Sequence, residues 1–145
     1  MHGLVLLDDH HQVLRPAILW NDTRTTQQCK EILNVMGKDF IDITRNVPLE
    51  DLLCRNYVGQ RTRTPDFEEV ATFLLPKDYV RYRMTGKIAM EYSDAAGTVM
   101  LDEEKRKWSS QIAEAFQLPM EIFPPLIESI GFAGKLAKPT HRFQN

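Results

Sequence analysis

The sequence predicts an α/β fold. Short apolar runs bounded by polar or turn residues read as strands, while Cys29, Ile32, Leu33 and Met36 recur at the i, i+3, i+4, i+7 spacing of a helix face. A strand that ends in Trp20-Asn21-Asp22 and passes into that helix forms the corner at which open α/β sheets commonly bind ligands.

Taken in order, residues 3–7 are apolar, Asp8-Asp9-His10-His11 is polar, and 12–14 return to apolar character, which predicts a β-hairpin. After Pro16, Ala17 to Trp20 reads as a buried strand. A helix follows, with Asp22 or Thr23 as N-cap and Gly37 as its stop, and Cys29 as a small core residue on it. Asp66 to Ala71 reads as a short helix and Phe73 to Leu75 as a short strand ended by Pro76. Lys77 to Thr85 is then helical up to Gly86, and its Tyr79, Arg81 and Tyr82 read as scaffold. The stretch around Asp94 reads as a loop. Trp108, Ile112 and Phe116, four apart, mark a last amphipathic helix before the proline-rich 119–125 segment. No internal repeat is visible.

A chain of 145 residues with 43% hydrophobic and 26% charged residues has enough apolar side chain for one real core. A formal net charge of -2 provides no broad basic field for nucleic acid. No apolar run is long enough to span a bilayer and no secretory-type apolar segment opens the chain, so a cytoplasmic protein without a membrane partner is the expectation. Cys29 and Cys54 lack CxxC spacing and read as reduced thiols. His2, His10 and His11 lie close in sequence, but paired histidines at a hairpin tip are ordinarily solvated, and no metal site is expected.

Chemistry is concentrated in Tyr92-Ser93-Asp94-Ala95-Ala96-Gly97-Thr98. One carboxylate stands there among small residues, with backbone N–H groups able to turn toward an anion. Asp94 is the catalytic candidate, as a base acting on a hydroxyl next to a phosphate; the competing reading is a helix-capping aspartate.

This segment, Met1-His2-Gly3, Ala17 to Arg24 and Phe73 to Gly86 are four separated motifs in order, and together they resemble the FGGY carbohydrate kinase family over most of 1–45 and 65–128. The resemblance is to the branch that phosphorylates the pentulose D-xylulose. It implies a ribonuclease H-like domain of the actin and hexokinase type, here incomplete, and a transfer of the ATP γ-phosphoryl group with Mg²⁺. It also implies that Asp94 is the proton acceptor and that Met1 and His2 line the sugar pocket. Trp20 would offer a flat wall to the sugar, with Asn21 and Asp22 binding hydroxyls; core packing is the other reading of Trp20, and an untethered terminus that of His2.

Several features depart from the family pattern. The glycine-bearing strands that meet nucleotide phosphates do not precede Met1, no GxxxxGK loop occurs, and no second, nucleotide-binding lobe follows. Residues 1–134 are therefore expected to be the sugar-binding portion of the N-terminal domain and 135–145 a divergent polar tail. Between 51 and 64 an Arg- and Thr-containing stretch replaces an expected apolar helix face, suggesting altered reading frames there and near 134; Arg55, Arg61 and Arg63 read as solvated surface, not a phosphate site. The chain is expected to be inactive alone and to associate with a complementary kinase fragment or with itself. The alternatives are an inactive remnant and a kinase for another sugar or polyol.

Overall fold

The structure, a computed structural model, describes residues 3–19, 26–47 and 68–137. Its centre is strand β1 (Gly3–Leu7), which pairs antiparallel with β2 (Ile18–Leu19) on one side and β3 (Thr72–Leu74) on the other. All five residues of β1 are buried, so both faces of this strand must be covered. Leu4 and Leu6 face the main core with Ile32, Phe40 and Phe73, while Val5 and Leu7 join Leu74 in a smaller cluster against Tyr79, Tyr82 and Ile88. The period of two thus divides one strand between two apolar layers.

The hairpin differs from its sequence pattern. Asp8 Oδ1 accepts from the N–H of His10 at 2.9 Å and of Gln12 at 2.7 Å, which closes a side-chain-stabilised turn. Beyond it Val13 makes only a single bridge to Leu7, and the pairing strand is β2. Among the described residues that strand is an edge, with Ile18 buried and Leu19 half exposed, not the fully buried strand expected.

Helix α1 (Thr26–Met36) ends where glycine predicts: Gly37 has φ 56° and its N–H reaches the carbonyl of Leu33 at 2.8 Å. Cys29 and Ile32 are buried and Met36 packs on the core, but Leu33 is 40% exposed and Gln28 takes an inward position. The expected caps Asp22 and Thr23 lie outside the described residues. Helix α2 (Lys38–Thr44), unforeseen, buries Phe40 completely, and Thr44 Oγ1 donates to the carbonyl of Phe40 at 2.8 Å.

Of the helix expected over 66–71, Glu68 and Glu69 form a 3₁₀ turn, whereas Val70 and Ala71 already run into β3. Pro76 does more than end that strand. It opens α3 (Pro76–Thr85), because a fixed φ and a missing N–H suit a first helical turn. Gly86, with φ 70°, stops α3 and donates its N–H to Tyr82.

Strand β4 (Met90–Glu91) leads directly into α4 (Tyr92–Gly97), and β5 (Leu101–Asp102) and β6 (Lys107–Trp108) form a hairpin. Trp108 therefore lies on a strand. The last helix, α5 (Ser110–Ala115), is capped by Ser109 Oγ, which accepts from the N–H of Ile112 at 3.2 Å. Trp108, Ile112 and Phe116 are nonetheless all buried, so the four-residue spacing located core positions although only one of the three is helical. A 3₁₀ turn at Met120–Ile122 and β7 (Leu126–Ile127), parallel to β4, follow. Phe73, Trp108 and Phe123 meet with ring centroids 5.2 to 6.0 Å apart, and the Trp108 indole N–H donates to the carbonyl of Pro124 at 2.7 Å. No described helix is long and apolar enough to cross a membrane.

Candidate functional site

Pro76 places Lys77 and Asp78 in the first turn of α3, where the helix dipole favours the carboxylate. The segment facing them is the β4–α4 junction. Glu91 occupies the N-cap of α4 and does what Ser or Asp normally does there: its carboxylate accepts from the N–H of Ser93 at 2.9 Å and of Asp94 at 2.7 Å. The hydroxyls of Ser93 and Ser129 donate to the same carboxylate. Partial burial would push Glu91 up, but these donors prevail and hold it at about 2, far below the usual carboxylate range.

This cap decides the conformation of the small-residue stretch. With Glu91 supplying the acceptor, Tyr92 to Gly97 closes into a short helix rather than the expected loop, and Asp94 stands in its first turn. Asp94 Oδ2 lies 2.7 Å from Lys77 Nζ. The same ammonium is 3.2 Å from Asp78 Oδ1 and 3.6 Å from Glu91 Oε1. Arg81, one turn along α3, reaches Asp78 Oδ1 at 3.0 Å and donates to the carbonyl of Ala89. Two cations of α3 are thus shared among three carboxylates and one carbonyl, tying α3 to the entry of α4.

Burial acts differently on the members. The Asp78 side chain is fully buried, and its desolvation pushes the carboxyl up further than Lys77 and Arg81 pull it down. For Lys77, burial acts downward, but the hydrogen bonds and charges of Asp94 and Asp78 exceed it and leave the ammonium above its ordinary value. Among the described residues Asp78 Oδ2 and Arg81 Nε have no hydrogen-bond partner, so the buried part of the network is incompletely satisfied there.

An open cleft of about 550 Å³ lies on another side of α4, lined by Tyr92, Ser93, Ala96, Arg106, Glu128 and Ser129 among others. Tyr92, Ser93 and Ala96 of α4 line this cleft, whereas Asp94 is not among its lining residues. Arg106 spans the cleft wall, with its guanidinium 4.3 Å from the Tyr92 ring centroid and 2.8 and 2.9 Å from the two Glu128 oxygens.

Among the expected site residues, Asp94 is the one described; Met1, His2, Trp20, Asn21 and Asp22 lie outside the described residues, as does 51–64. Lys77, Asp78 and Glu91 were not singled out from sequence. Pro76-Lys77-Asp78 carries a helix-start signal, and Glu91 stands three residues before Asp94 at capping distance, so both were open to a reading by capping rules. The described residues offer no site that fits Mg²⁺. No described group of three or more metal-type side chains could hold an ion, and the carboxylates nearest Asp94 already share an ammonium.

The family described as the FGGY family of carbohydrate kinases, N-terminal domain, matches residues 1–143. Xylulose kinase of Bacillus subtilis (strain 168) is 50% identical over 137 residues, 94% of this chain and 28% of that protein. Xylulose kinase of Lactococcus lactis is 44% identical over 135 residues, 92% of this chain and 27% of that protein. Among solved structures, a xyloylose kinase from Brucella ovis superposes with a TM-score of 0.88 at 37% identity, over 94% of this chain and 28% of its own. The chain therefore spans little more than a quarter of the length of the relatives it matches, and its fold is part of the actin/hexokinase-like fold of these sugar kinases. On this combination of sequence and fold, the chain belongs to the FGGY family of carbohydrate kinases.

Proposed function

We propose that this chain is the sugar-facing portion of a xylulose kinase, which transfers the γ-phosphoryl group of ATP to D-xylulose. The observation that carries this reading is the 50% identity to the Bacillus subtilis xylulose kinase along 94% of the chain. Met1, His2, Trp20, Asn21 and Asp22 are the proposed sugar contacts, with ATP and Mg²⁺ bound by parts of the enzyme beyond these residues. When bound, the nucleotide supplies the phosphoryl group and the ion offsets its charge.

Two roles for Asp94 compete. As proton acceptor it would take the proton of the sugar hydroxyl, the role implied by family resemblance. The 2.7 Å contact with Lys77 favours the second role, an anchor that orients the first turn of α4 against α3. The same ammonium also lies 3.2 Å from Asp78 Oδ1 and 3.6 Å from Glu91 Oε1, so Asp94 is one of three carboxylates gathered on one cation of α3. We therefore assign Asp94 to positioning. The test is a Bacillus subtilis xylulose kinase whose matched region is replaced by these 145 residues, carrying Asp94→Asn or Lys77→Met. An anchor predicts that both variants lower Tm and that kcat of the folded enzyme changes by less than about tenfold. A proton acceptor predicts a fall in kcat of roughly 10²- to 10⁴-fold for Asp94→Asn alone, with Tm retained.

A further inference from the structure

Strand β1 opens on a glycine, a residue that weakens a strand and marks a place where another backbone comes close. Gly3 lacks the positive φ that Gly37 and Gly86 adopt, so its conformation does not call for glycine. Space does. A Cβ at this position would stand 3.0 Å from the Ile18 carbonyl oxygen, 3.1 Å from Pro76 Cγ and 3.5 Å from Leu19 Cδ2. The first two distances are shorter than ordinary van der Waals contact. They belong to a backbone atom and a proline ring, neither of which swings aside as the tip of a long side chain would.

Three elements therefore close on one point: the start of β1, the end of β2 through the register pair Gly3 and Leu19, and the first residue of α3. The proposed sugar contacts attach at this same end of the sheet, because His2 is bonded to Gly3 and Trp20 to Leu19. Consecutive Cα atoms are about 3.8 Å apart and antiparallel partners about 4.5 to 5.5 Å, which keeps the Cα atoms of residues 2 and 20 within about 13 Å of each other whatever their conformation. Side chains on two such positions can grip one small sugar between them. Pro76 also carries Lys77, whose ammonium lies 2.7 Å from Asp94 Oδ2, so the joint between α3 and α4 is seated on the same glycine.

We propose that Gly3 is a positioning residue for the sugar: its missing side chain sets the gap between the strand ends that carry His2 and Trp20, and seats α3 against them. The inference rests on the reading that residues 1–2 and 20–22 contact the sugar. A methyl group at residue 3 forces the Ile18 backbone or the Pro76 ring outward by a few tenths of an ångström. A close-packed interior transmits such a shift instead of absorbing it, so the gap between the two strand ends changes with it. Nucleotide contacts, supplied by other parts of the enzyme, are untouched.

The experiment measures the kinetics of the Bacillus subtilis xylulose kinase whose matched region is replaced by these 145 residues, with and without Gly3→Ala. KM for D-xylulose is expected to rise by about tenfold or more while kcat and KM for ATP change by less than about threefold, the pattern of lost sugar binding. The double variant Gly3→Ala/Pro76→Ala removes the Cγ that the new methyl group meets, so it should bring KM for D-xylulose part of the way back, and it serves as the test where the single variant folds poorly. Gly86→Ala, whose Cβ meets nothing within 4 Å, should lower Tm without moving that KM, which separates lost stability from lost positioning. A folded Gly3→Ala enzyme with unchanged KM for D-xylulose, or one in which the KM values for sugar and ATP rise alike, overturns the proposal. A chimera that phosphorylates glycerol or D-gluconate and not D-xylulose, with the KM of that substrate raised by Gly3→Ala, upholds the positioning role and removes the assigned substrate instead.

Discussion

At Asp78 a carboxylate has been withdrawn from water and placed between Lys77 and Arg81, with one oxygen lacking a hydrogen-bond partner among the described residues. Such a group contributes little net stability while its partners are present, but its removal leaves the Arg81 guanidinium, four-fifths buried, without its counter-charge. Asp78→Ala should lower the unfolding free energy by about 3 kcal/mol, measured by urea denaturation. Glu91 behaves in the opposite way, since its donors stabilise the ionised form. Its folded value of about 2 lies below the ordinary 4.5, so its contribution is fully present above pH 4.5 and is lost as pH falls toward 2. Glu91→Gln should therefore flatten the dependence of stability on pH between 4.5 and 2, while a slope equal to that of the parent chain would contradict the capping role. At Asp94 the small neighbours suggested an open loop around a reactive group. What they permit is a tight helical turn whose N–H groups are taken by Glu91. The three-residue spacing of Glu91 and Asp94 signalled the cap, but nothing in the spacing signalled the cation, because Lys77 lies seventeen positions earlier, on another helix.

Among the elements, those legible in sequence were the ones whose boundaries are set by backbone chemistry. Gly37 and Gly86 stop α1 and α3 because each takes a positive φ, and Pro76 fixes the start of α3. The two glycines are not equivalent. Gly86 is left-handed helical at φ 70° and ψ 9°, whereas Gly37 combines φ 56° with ψ -130°, a region closed to side chains. A Cβ meets nothing within 4 Å at Gly86 and only a 3.9 Å contact at Gly37, so alanine reports backbone strain alone. Gly86→Ala should cost about 1 kcal/mol and Gly37→Ala about 2 to 3 kcal/mol, read from thermal unfolding. Equal costs would contradict this account. The β5–β6 hairpin was illegible for the converse reason. Its turn contains no glycine or asparagine; Asp102 closes it by accepting from the Lys105 N–H at 2.9 Å, and Arg106 adopts φ 51° itself. Strand β7 and helix α2 were missed because two residues of strand, or seven of helix, are too few to display a period.

Across the whole molecule, the alternation of buried apolar runs with helical spacing was sufficient for an α/β reading. The partial actin/hexokinase-like fold came from the four motifs rather than from periodicity. The described network of Lys77, Asp78, Arg81, Glu91 and Asp94 is best understood as the joint that sets α4 against α3, with the sugar contacts proposed for other segments of the chain. The central claim is that these 145 residues supply the sugar-facing part of a D-xylulose kinase. It is tested most directly by D-xylulose-dependent ADP release from the Bacillus subtilis enzyme carrying this chain in place of its matched region. The account predicts turnover with D-xylulose and a kcat/KM at least about tenfold higher than with glycerol or D-gluconate, the scale on which a pocket distinguishes related substrates. A folded chimera that hydrolyses or transfers nothing with D-xylulose, or that prefers either of the other two, would contradict it.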